Sequence, residues 1–445
     1  MIFTSYRWQC LLKNITFAPN PKNTFSIKFM TQNPFTSLTF ESIWSKHFND
    51  NKALLSFKSI NGVKFIKYSR FGIYVNAGKN LTKGIDYSIN FEETDYKGKT
   101  FLIYDVPTYF DTEPFHPPES SSLKLKKMFQ YQGFLMDISN FKDKDEYINA
   151  QFSSKNRREF RSNQRRLETC FNIRYEFINE EISQAKFDVL FDQFHALLNE
   201  RFEGKQVNYH HLSKDKWAYY SELVFEMLKE KKASLLIIYN EDNPIGITLN
   251  FHADKVLFET ITVFNPDYYK FSIGKTSIIK LLEWCFDHGY QISDFSKGDF
   301  DYKHKWGNLA YDFNYHILYD SKSIRSILTS KYIEYFYILK LYLRKRKVNE
   351  LYRKYKFLMS NKKTVETSQY SNVKVSSIQQ FETSDYDLIQ FEKDDYKFLR
   401  VCVFSFAFAN PENISNIKVY KHKSLENTYL ISGTKKAQQV TFNVT

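Results

Sequence analysis

Apolar and polar residues between positions 233 and 264 alternate with turn sequences in a way that predicts a three-stranded antiparallel meander. The run 233–239 is continuously apolar and strand-length, and EDNP at 241–244 is a turn. A second strand is predicted over 245–251 and, after the turn HADK, a third over 256–264. Such short turns pair consecutive strands in order, so the segment is expected to form one antiparallel sheet.

A helix is predicted directly after this meander, from about Gly274. Four apolar residues follow the i, i+3, i+4, i+7 spacing of a helix buried on one face: Ile278, Leu281, Leu282 and Cys285. Gly289 is placed to end the helix as a C′ glycine. The next strand, 292–295, must lie parallel to an earlier one because a helix crossover separates them. A further strand is predicted over 311–319.

The segment before residue 123 mixes one helix, over 40–48, with short strand-like runs at 54–60, 63–68, 72–75 and 100–105. The sequence EPFHPPESSS at 113–122 is typical of a linker and predicts a domain boundary. Beyond it we expect the start of a helix at 123, a strand at 134–138 and a helix from about Asp143.

The C-terminal third divides into two predicted parts. Residues 322–363 are expected to form one or two long helices, and 364–445 a small β-rich region in which 401–409 is an apolar run of strand length. At the other end, residues 1–33 resemble a loose tail, with Met30 as an alternative start. The predicted division is therefore 1–33, 34–120, 121–321, 322–363 and 364–445.

Composition and charge narrow the functional class. A chain of 445 residues with 42% hydrophobic residues is expected to hold two to four folded domains. The formal net charge of +13 is confined to two segments. Residues 155–168 carry six basic and two acidic residues, and 340–363 carry ten basic residues and Glu350; the remainder is neutral. The broad basic footprint of a nucleic-acid-binding protein is therefore not indicated.

The spacing of cysteines and histidines argues against a metal-binding protein. The length of the apolar runs argues against a membrane-spanning one. The four cysteines are far apart in sequence, which argues against a CxxC zinc pair and for a reducing compartment: Cys10, Cys170, Cys285 and Cys402. The pair His210–His211 has no third ligand at metal-binding spacing. No apolar run reaches the ~18 residues needed to span a bilayer. A cytoplasmic location follows, with peripheral contact to the inner membrane face through 340–363 as an open possibility.

Two motifs point to a family. DFSKGDFDYKHKW occupies 294–306, directly after the predicted helix and strand, and the Arg-rich SSKNRREFRSNQRRLE occupies 153–168. The strand–strand–strand–loop–helix–strand order resembles the GNAT acyltransferase fold. More narrowly, the motifs resemble the BioF2-like/CelD-type acetyltransferase domain, related to the Fem transferases, with its D-F-x-x-G-x-x-x-Y-K-x-x-W motif. The resemblance covers about 180 residues and does not extend to 322–445.

This resemblance implies an α/β (α+β) fold. Its sheet is mixed but mostly antiparallel and is flanked by helices. The resemblance further implies two tandem GNAT-like halves, the first degenerate and lying in 34–120. C-terminal helices and the β-rich region would be additions to that fold.

The resemblance also implies a donor site for acetyl-CoA or another acyl-CoA, without a metal. The third strand and the helix start would bind it through Val263, Phe264, Ser272, Ile273, Gly274, Lys275 and Thr276. A helix N-terminus offers N–H groups and a positive dipole end to phosphate. The loop FSIGKT at 271–276 keeps only one glycine of the family pattern R/Q-x-x-G-x-G/A. The alternative is that Ser272 merely caps the helix.

Three carboxylates are candidates for the general base. Asp299 is preferred slightly over Glu259, whereas Asp294 is expected to pair with Lys303 or with an arginine of 155–168. Tyr302 is either a general acid toward the leaving thiolate or a buried, hydrogen-bonded tyrosine.

Other residues of the two motifs have simpler expected roles. Lys303 is expected to take part in catalysis, and Trp306 is expected to be a packing residue. Arg158, Arg161 and Arg165 either attract an anionic substrate, with Asp294 nearby, or form a solvated basic face.

Three functions remain open from the sequence. The first is N-acylation of an amino group on a sugar, amino acid or cell-envelope precursor. The second is aminoacyl transfer from tRNA, with 155–168 and 340–363 contacting its backbone. The third is a non-enzymatic binding protein with an inactive pocket.

Overall fold

The structure is a computed structural model that describes residues 32–68, 72–110, 115–202, 213–346, 348, 370–378 and 382–444. Its helices are α1 (Leu38–Phe48), α2 (Lys144–Gln151), α3 (Ser154–Cys170), α4 (Gln184–Phe202), α5 (Lys214–Lys229), α6 (Ile273–Asp287), α7 (Asp301–Trp306), α8 (Ile324–Lys345) and α9 (Arg400–Ala409). Residues 1–31, His210–His211 and most of 347–369 lie outside the described part, so the expectations made for them are untested.

The strands fall into a large and a small set. The large set comprises β1 (Leu55–Phe57), β2 (Ile60–Tyr68), β3 (Ile73–Asn76), β4 (Ser88–Ile89), β5 (Thr100–Pro107), β6 (Leu123–Asp137), β7 (Ile173–Ile178), β8 (Ala233–Asn240), β9 (Asn243–Ala253), β10 (Val256–Phe264), β11 (Ile292–Lys297) and β12 (Leu309–Asp320). The small set comprises β13 (Tyr370–Ile378), β14 (Tyr386–Ile389), β15 (Lys418–His422), β16 (Thr428–Ser432) and β17 (Ala437–Val444).

The large set forms one twelve-stranded sheet in the order β1-β2-β3-β5-β12-β6-β11-β10-β9-β8-β7, with β4 paired to β2. Two neighbouring pairs are parallel, β3–β5 and β10–β11. The other pairs in this sheet are antiparallel. The predicted fold class is therefore confirmed: a mixed, mostly antiparallel sheet flanked by helices, with a small second sheet. The boundary at 120/121 remains a proposal; it falls between β5 and β6, which belong to the same sheet.

The predicted meander and its crossover are confirmed. Strands β8, β9 and β10 pair antiparallel in sequence order. Helix α6 then returns the chain, and β11 pairs with β10 in parallel. Gly289 follows α6 with φ of +69°, the left-handed conformation that glycine adopts without steric cost.

The helix start predicted at residue 123 is wrong, because β6 runs without interruption from Leu123 to Asp137. Its sequence LKLKKMFQYQ alternates in residue type, and β12 and β11 supply backbone hydrogen-bond partners on its two sides. Pairing within a sheet outweighs the helical preference of lysine and leucine.

The strand-length run 401–409 is helical instead, as α9. A short apolar run does not distinguish a buried strand from a buried helix. The buried side chains of α9 include Val403, Phe404 and Ala407, which pack between the small sheet and the segment Pro266–Phe271. That sheet has the order β13-β17-β16-β15-β14 and confirms the predicted β-rich C-terminal region.

The two faces of the large sheet bury separate cores. One face packs against α1, α4 and α5 and includes Leu235 and Phe258. The opposite face packs against α2, α3, α6 and α7 and includes Leu236 and Leu257. Adjacent strand residues therefore serve opposite cores, as the two-residue period of a strand requires.

Candidate active site between strands β10 and β11

The parallel strands β10 and β11 separate part-way along their length. They pair only where residues 256–258 face residues 292–294. Beyond that point β10 remains paired to β9 and β11 to β6. A register shift between Glu259 and Ile261 accompanies the separation. The two strands thus open a wedge in the sheet, and Glu259 and Asp294 lie on its two sides where it begins.

Glu259 is a half-buried carboxylate at the mouth of this wedge. Its Oε1 accepts a hydrogen bond of 3.2 Å from Ser293 Oγ. Burial raises the pKa of Glu259 to about 8, although Ser293 and the positive charge of Lys303 act in the opposite direction. A carboxylate with a pKa near neutrality is suited to taking up and releasing a proton.

Asp294 is fully buried on the other side of the wedge. It accepts hydrogen bonds from the Tyr109 hydroxyl at 2.8 Å, the Tyr311 hydroxyl at 2.7 Å and the Ser296 amide at 2.6 Å. Burial raises its pKa to about 6, against the lowering effect of these bonds. The partners of Asp294 are thus tyrosines, not the lysine or arginine expected from the sequence.

Lys303 is buried and fixes the turn that follows β11. Its Nζ donates to the carbonyl oxygens of Phe295 at 2.7 Å, Ser296 at 3.2 Å and Lys297 at 2.6 Å. All three N–H donors of the ammonium are used in this way. Burial lowers the pKa of Lys303 to about 8. The turn needs this support because Ser296 has φ of +56°, which is unfavourable for a residue with a side chain.

Two motif residues expected to act in catalysis have exposed side chains. Asp299 Oδ1 contacts His304 Nε2 at 2.6 Å, with 87% of the aspartate side chain exposed. Tyr302 is also exposed, with its ring packed edge-on against Phe295. Trp306 is buried, as expected, and stacks on Phe160 with ring centroids 5.4 Å apart.

The first half of the chain contributes a residue that the sequence did not reveal. Lys83, between β3 and β4, is buried against the wedge. Burial lowers its pKa to about 7, and the nearby charges of Lys297 and Lys303 lower it further, whereas Asp294 raises it. No ion pair or hydrogen bond joins the Lys83 ammonium to the described residues. Its loop is held by Lys297, whose Nζ donates 2.9 Å to the carbonyl oxygen of Asn80.

A second buried group at the same place also has no partner. Ser296 Oγ is buried and forms no hydrogen bond within the described part of the chain. Buried hydroxyl and ammonium groups normally satisfy their hydrogen bonds. Ser296 Oγ and the Lys83 ammonium therefore have hydrogen-bonding capacity that the described residues do not use.

The start of helix α6 meets the end of β10, as the sequence predicted. An added Cβ at Gly274 would come within 2.9 Å of the Phe264 ring, so a larger residue there would require this ring to shift. Val263 and Thr276 are buried on either side of this contact. The guanidinium of Arg201 lies 4.1 Å from the centre of the Phe264 ring and covers it.

Ser272 does not cap helix α6 through its side chain. It has φ of +56°, and its Oγ accepts a 3.2 Å hydrogen bond from Asn163 of α3. Lys275 of α6 forms a 2.6 Å ion pair with Glu159 of α3. The positive charge expected from Lys275 is thus partly neutralised, while the backbone at Ile273 and Gly274 still forms the first turn of the helix.

The arginines of α3 divide into two groups. Arg158, Arg161 and Arg165 are exposed. Arg166 instead donates 2.6 Å to the Phe408 carbonyl oxygen and lies 4.7 Å from the centre of its ring. The exposed group shares one side of α3, and both interpretations of it stay open.

The described residues contain neither a cluster of metal ligands nor a membrane-spanning helix. In the described ranges, no group of three or more histidine, cysteine or acidic side chains is placed to hold a metal ion. Cys170, Cys285 and Cys402 are free thiols. None of the helices in these ranges is both long and apolar enough to cross a bilayer.

Comparisons with known proteins identify the central domain. A family profile described as "Acetyltransferase (GNAT) domain" matches residues 154–304. Among solved structures, a conserved protein of unknown function from Bacteroides thetaiotaomicron is 10% identical over 65% of this chain and 92% of that chain, with a TM-score of 0.43.

Two further solved structures are similar at the same level. The C-terminal domain of a putative lysylphosphatidylglycerol synthetase from Agrobacterium fabrum is 11% identical over 65% of this chain and 88% of that chain (TM-score 0.41). FemX is 12% identical over 57% of this chain and 83% of that chain (TM-score 0.39). No curated protein matches the sequence.

Proposed function

Residues 154–304 form a GNAT-type acetyltransferase domain, and from this premise we propose that the protein is an N-acyltransferase using acyl-CoA as donor. The acceptor is an amino group on a sugar, amino acid or cell-envelope precursor. The observation that carries the proposal is Glu259: a half-buried carboxylate with a pKa of about 8 at the opening between two separating strands. We assign the base to Glu259 rather than to Asp299, which is exposed and paired with His304.

The residues of the wedge account for the proton transfer. The neutral amine attacks the thioester carbonyl carbon, the C–N bond forms and the C–S bond breaks. The proton lost by the amine passes to Glu259, and the CoA thiolate takes a proton from solvent. Asp294, held by Tyr109 and Tyr311, is inaccessible to the amine and keeps the strand end in position.

Lys83 indicates the chemistry of the acceptor. Lys83 forms no direct ion pair with the described residues; Lys297 and Lys303 lie close enough to lower its pKa, and Asp294 and Asp105 close enough to raise it. An acceptor with a carboxylate or phosphate beside its amine would supply the missing negative charge. An amino acid or a phosphorylated envelope precursor fits this requirement better than a neutral amino sugar.

The donor would lie along the end of β10 with its pyrophosphate at the start of α6. The amide groups of Ile273 and Gly274 open the helix, and the close contact of Gly274 with Phe264 joins the two elements. N–H groups and the helix dipole favour an anion at this position.

Calorimetry with acetyl-CoA and steady-state kinetics test the proposal. Glu259→Gln should lower kcat by about 10²- to 10⁴-fold, the usual effect of a general base, with little change in acetyl-CoA affinity. Asp299→Asn is the matched control, because it removes an acidic group from the same end of the sheet without touching the wedge. Loss of activity in the Asp299→Asn control alone would show that Asp299, not Glu259, is the general base. Absence of acetyl-CoA binding would exclude acetyl-CoA as the acyl donor.

The pH profile gives a second readout. For the native protein kcat/KM should rise with pH and level off above about 8, as Glu259 loses its proton. Asp294 and Lys303 interact with Glu259, so the apparent value belongs to the group of three. The ratio of native to Glu259→Gln rates removes the titration of the acceptor amine. A ratio independent of pH would exclude Glu259 as the base.

A second candidate, an aminoacyl-tRNA donor, is favoured by one observation. Three exposed arginines, Arg158, Arg161 and Arg165, share one side of α3. Uncharged tRNA should then bind, and its affinity should fall steeply between 50 and 200 mM salt, by about 10³-fold for six phosphate contacts. Arg158→Gln with Arg161→Gln would weaken that binding and leave acetyl-CoA binding unchanged.

A further inference from the structure

Helix α8 carries a continuous apolar stripe on its exposed side. Six residues spaced three or four apart, and therefore on one helical face, form the stripe: Ile324, Leu328, Tyr332, Tyr335, Leu339 and Tyr342. Their exposed fractions range from 40% to 76%. Phe336 and Leu343, also exposed, widen the stripe near its C-terminal end.

The other side of α8 accounts for its attachment to the sheet. Ser326, Thr329, Ser330, Ile333 and Tyr337 are buried there. Tyr337 stacks on Tyr315 of β12 with ring centroids 4.0 Å apart. The helix is thus fixed to the protein by one face while presenting aromatic and aliphatic side chains to solvent along about 27 Å, at 1.5 Å per residue.

This apolar stripe is set in positive charge. The helix contains five basic residues and one acidic residue: Arg325, Lys331, Lys340, Arg344, Lys345 and Glu334. Glu334 is already ion-paired with Lys126 of β6. Lys340 and Arg344 lie on the side of the helix that carries Tyr337, and Arg344 Nη1 donates 2.9 Å to the carbonyl oxygen of Gln130 on β6. Arg325, Lys331 and Lys345 are the basic residues nearer the stripe. In sequence, six further basic residues follow between 347 and 363.

We propose that α8 lies flat in the headgroup region of an anionic membrane, with the stripe inserted among the lipids. An exposed face of leucine, isoleucine and tyrosine bordered by lysine and arginine is the composition of an interfacial helix. Tyrosine places its ring in the apolar zone and its hydroxyl in the headgroups. The exposed basic residues beside the stripe attract acidic lipid headgroups.

The charges favour a membrane over two other occupants. A second copy docked on the same stripe would bring two basic surfaces together, which like-charge repulsion opposes. A nucleic acid would be attracted by the lysines but would leave the apolar stripe without a partner. A lipid surface satisfies both features, and the inference does not depend on the chemistry proposed for the wedge.

Co-sedimentation of the full chain with vesicles tests this proposal. The native protein should bind vesicles containing 30% phosphatidylglycerol in phosphatidylcholine, and bind pure phosphatidylcholine much more weakly. The double variant Leu328→Asp with Leu339→Asp should lose at least about tenfold in vesicle affinity, since each change removes one inserted side chain. High salt should weaken the native binding without abolishing it, because the apolar contribution is not screened.

A matched control changes two equally exposed aliphatic residues elsewhere. Val189→Asp with Leu388→Asp adds the same charge away from α8 and should leave vesicle binding unchanged. Both double variants should keep the native melting temperature, which separates lost binding from unfolding. Equal losses in the two variants, or no binding by the native chain, would overturn the proposal. So would a native dimer, seen by light scattering, that the α8 variant converts to monomer.

Discussion

Four ionisable side chains at the wedge have pKa values displaced toward neutrality by burial. The pKa values of the two carboxylates, Glu259 and Asp294, are raised, and those of the two lysines, Lys83 and Lys303, are lowered. Burial of ionisable groups costs stability, and such groups persist mainly where function requires them. Each of these groups therefore makes the free energy of unfolding depend on pH. This dependence can be measured without knowing the substrate.

Replacing Glu259 by glutamine should stabilise the protein at high pH only. The folded pKa is about 8 and the model-compound value is 4.5, so the folded state holds the proton more tightly. Stability linked to this proton is complete below about pH 4.5 and is lost as pH rises through 8. Glu259→Gln should therefore raise the free energy of unfolding by about 1 kcal/mol or more at pH 9 and little at pH 5, as measured by urea titration. Equal effects at both pH values would contradict the assigned pKa.

Replacing Lys83 by methionine should have the opposite pH dependence. The pKa falls from 10.5 to about 7 on folding, so the unfolded chain holds the proton more tightly. The native protein gains stability as pH rises from 7 towards 10.5, and burial of the charged form is most costly below 7. Lys83→Met should stabilise more at pH 6 than at pH 9. Lys97→Met is the control, because Lys97 is an exposed lysine in the same half of the chain. It should leave the free energy of unfolding unchanged at both pH values.

The sequence could reveal only the part of this site that lies within a motif. Asp294 and Lys303 belong to the continuous segment 294–306, and Glu259 lies on a strand whose register is fixed by the alternation of apolar residues. Lys83 and Tyr109 come near Asp294 only through the tertiary fold. No local pattern marks either residue. The preference for Asp299 was based on position alone, and sequence position does not show which way a loop side chain points.

At the scale of single elements, α7 is held by an aromatic cluster. Trp306 packs against Phe152 at 4.6 Å and Phe160 at 5.4 Å between ring centroids. Trp306→Ala should lower the free energy of unfolding by about 3–5 kcal/mol, the usual cost of removing a large buried aromatic side chain. Lys305→Ala, one residue earlier and exposed, should change it by less than about 0.5 kcal/mol. Urea titration distinguishes the two, and similar values would mean that the cluster does not hold α7.

Elements with a clear period were predictable, and two others were not. The meander β8–β10, α6 and its ending at Gly289 follow from local spacing and turn chemistry. Strand β6 was misread because its lysines suit either a helix or the solvated positions of a strand. Helix α9 is not distinguished from a strand by its sequence, because the run 401–409 is apolar except for Ser405 and carries no clear period. In both cases the surrounding structure decided the outcome.

At the scale of the whole molecule, the C-terminal region formed by α9 and the small sheet packs onto the GNAT-type domain. Phe404 of α9 lies 5.0 Å from Phe171 and 4.7 Å from Tyr268 between ring centroids. Phe404→Ala should loosen this contact and increase hydrogen exchange in the segment Pro266–Phe271, which leads into α6. Val401→Ala, on the exposed side of the same helix, is the control. Unchanged exchange in the Phe404 variant would show that the segment is held independently of α9.

The placement of β6 and β12 limits how the protein can be divided. A fragment of residues 154–304 contains β10 and β11 but neither β6 nor β12, so β11 would present an open edge able to recruit strands from other chains. Such a fragment is expected to aggregate even though it contains Glu259, Asp294 and Lys303. The same dependence restricts recombination: a gene-level exchange of one half would succeed only if the incoming half supplied strands of matching register.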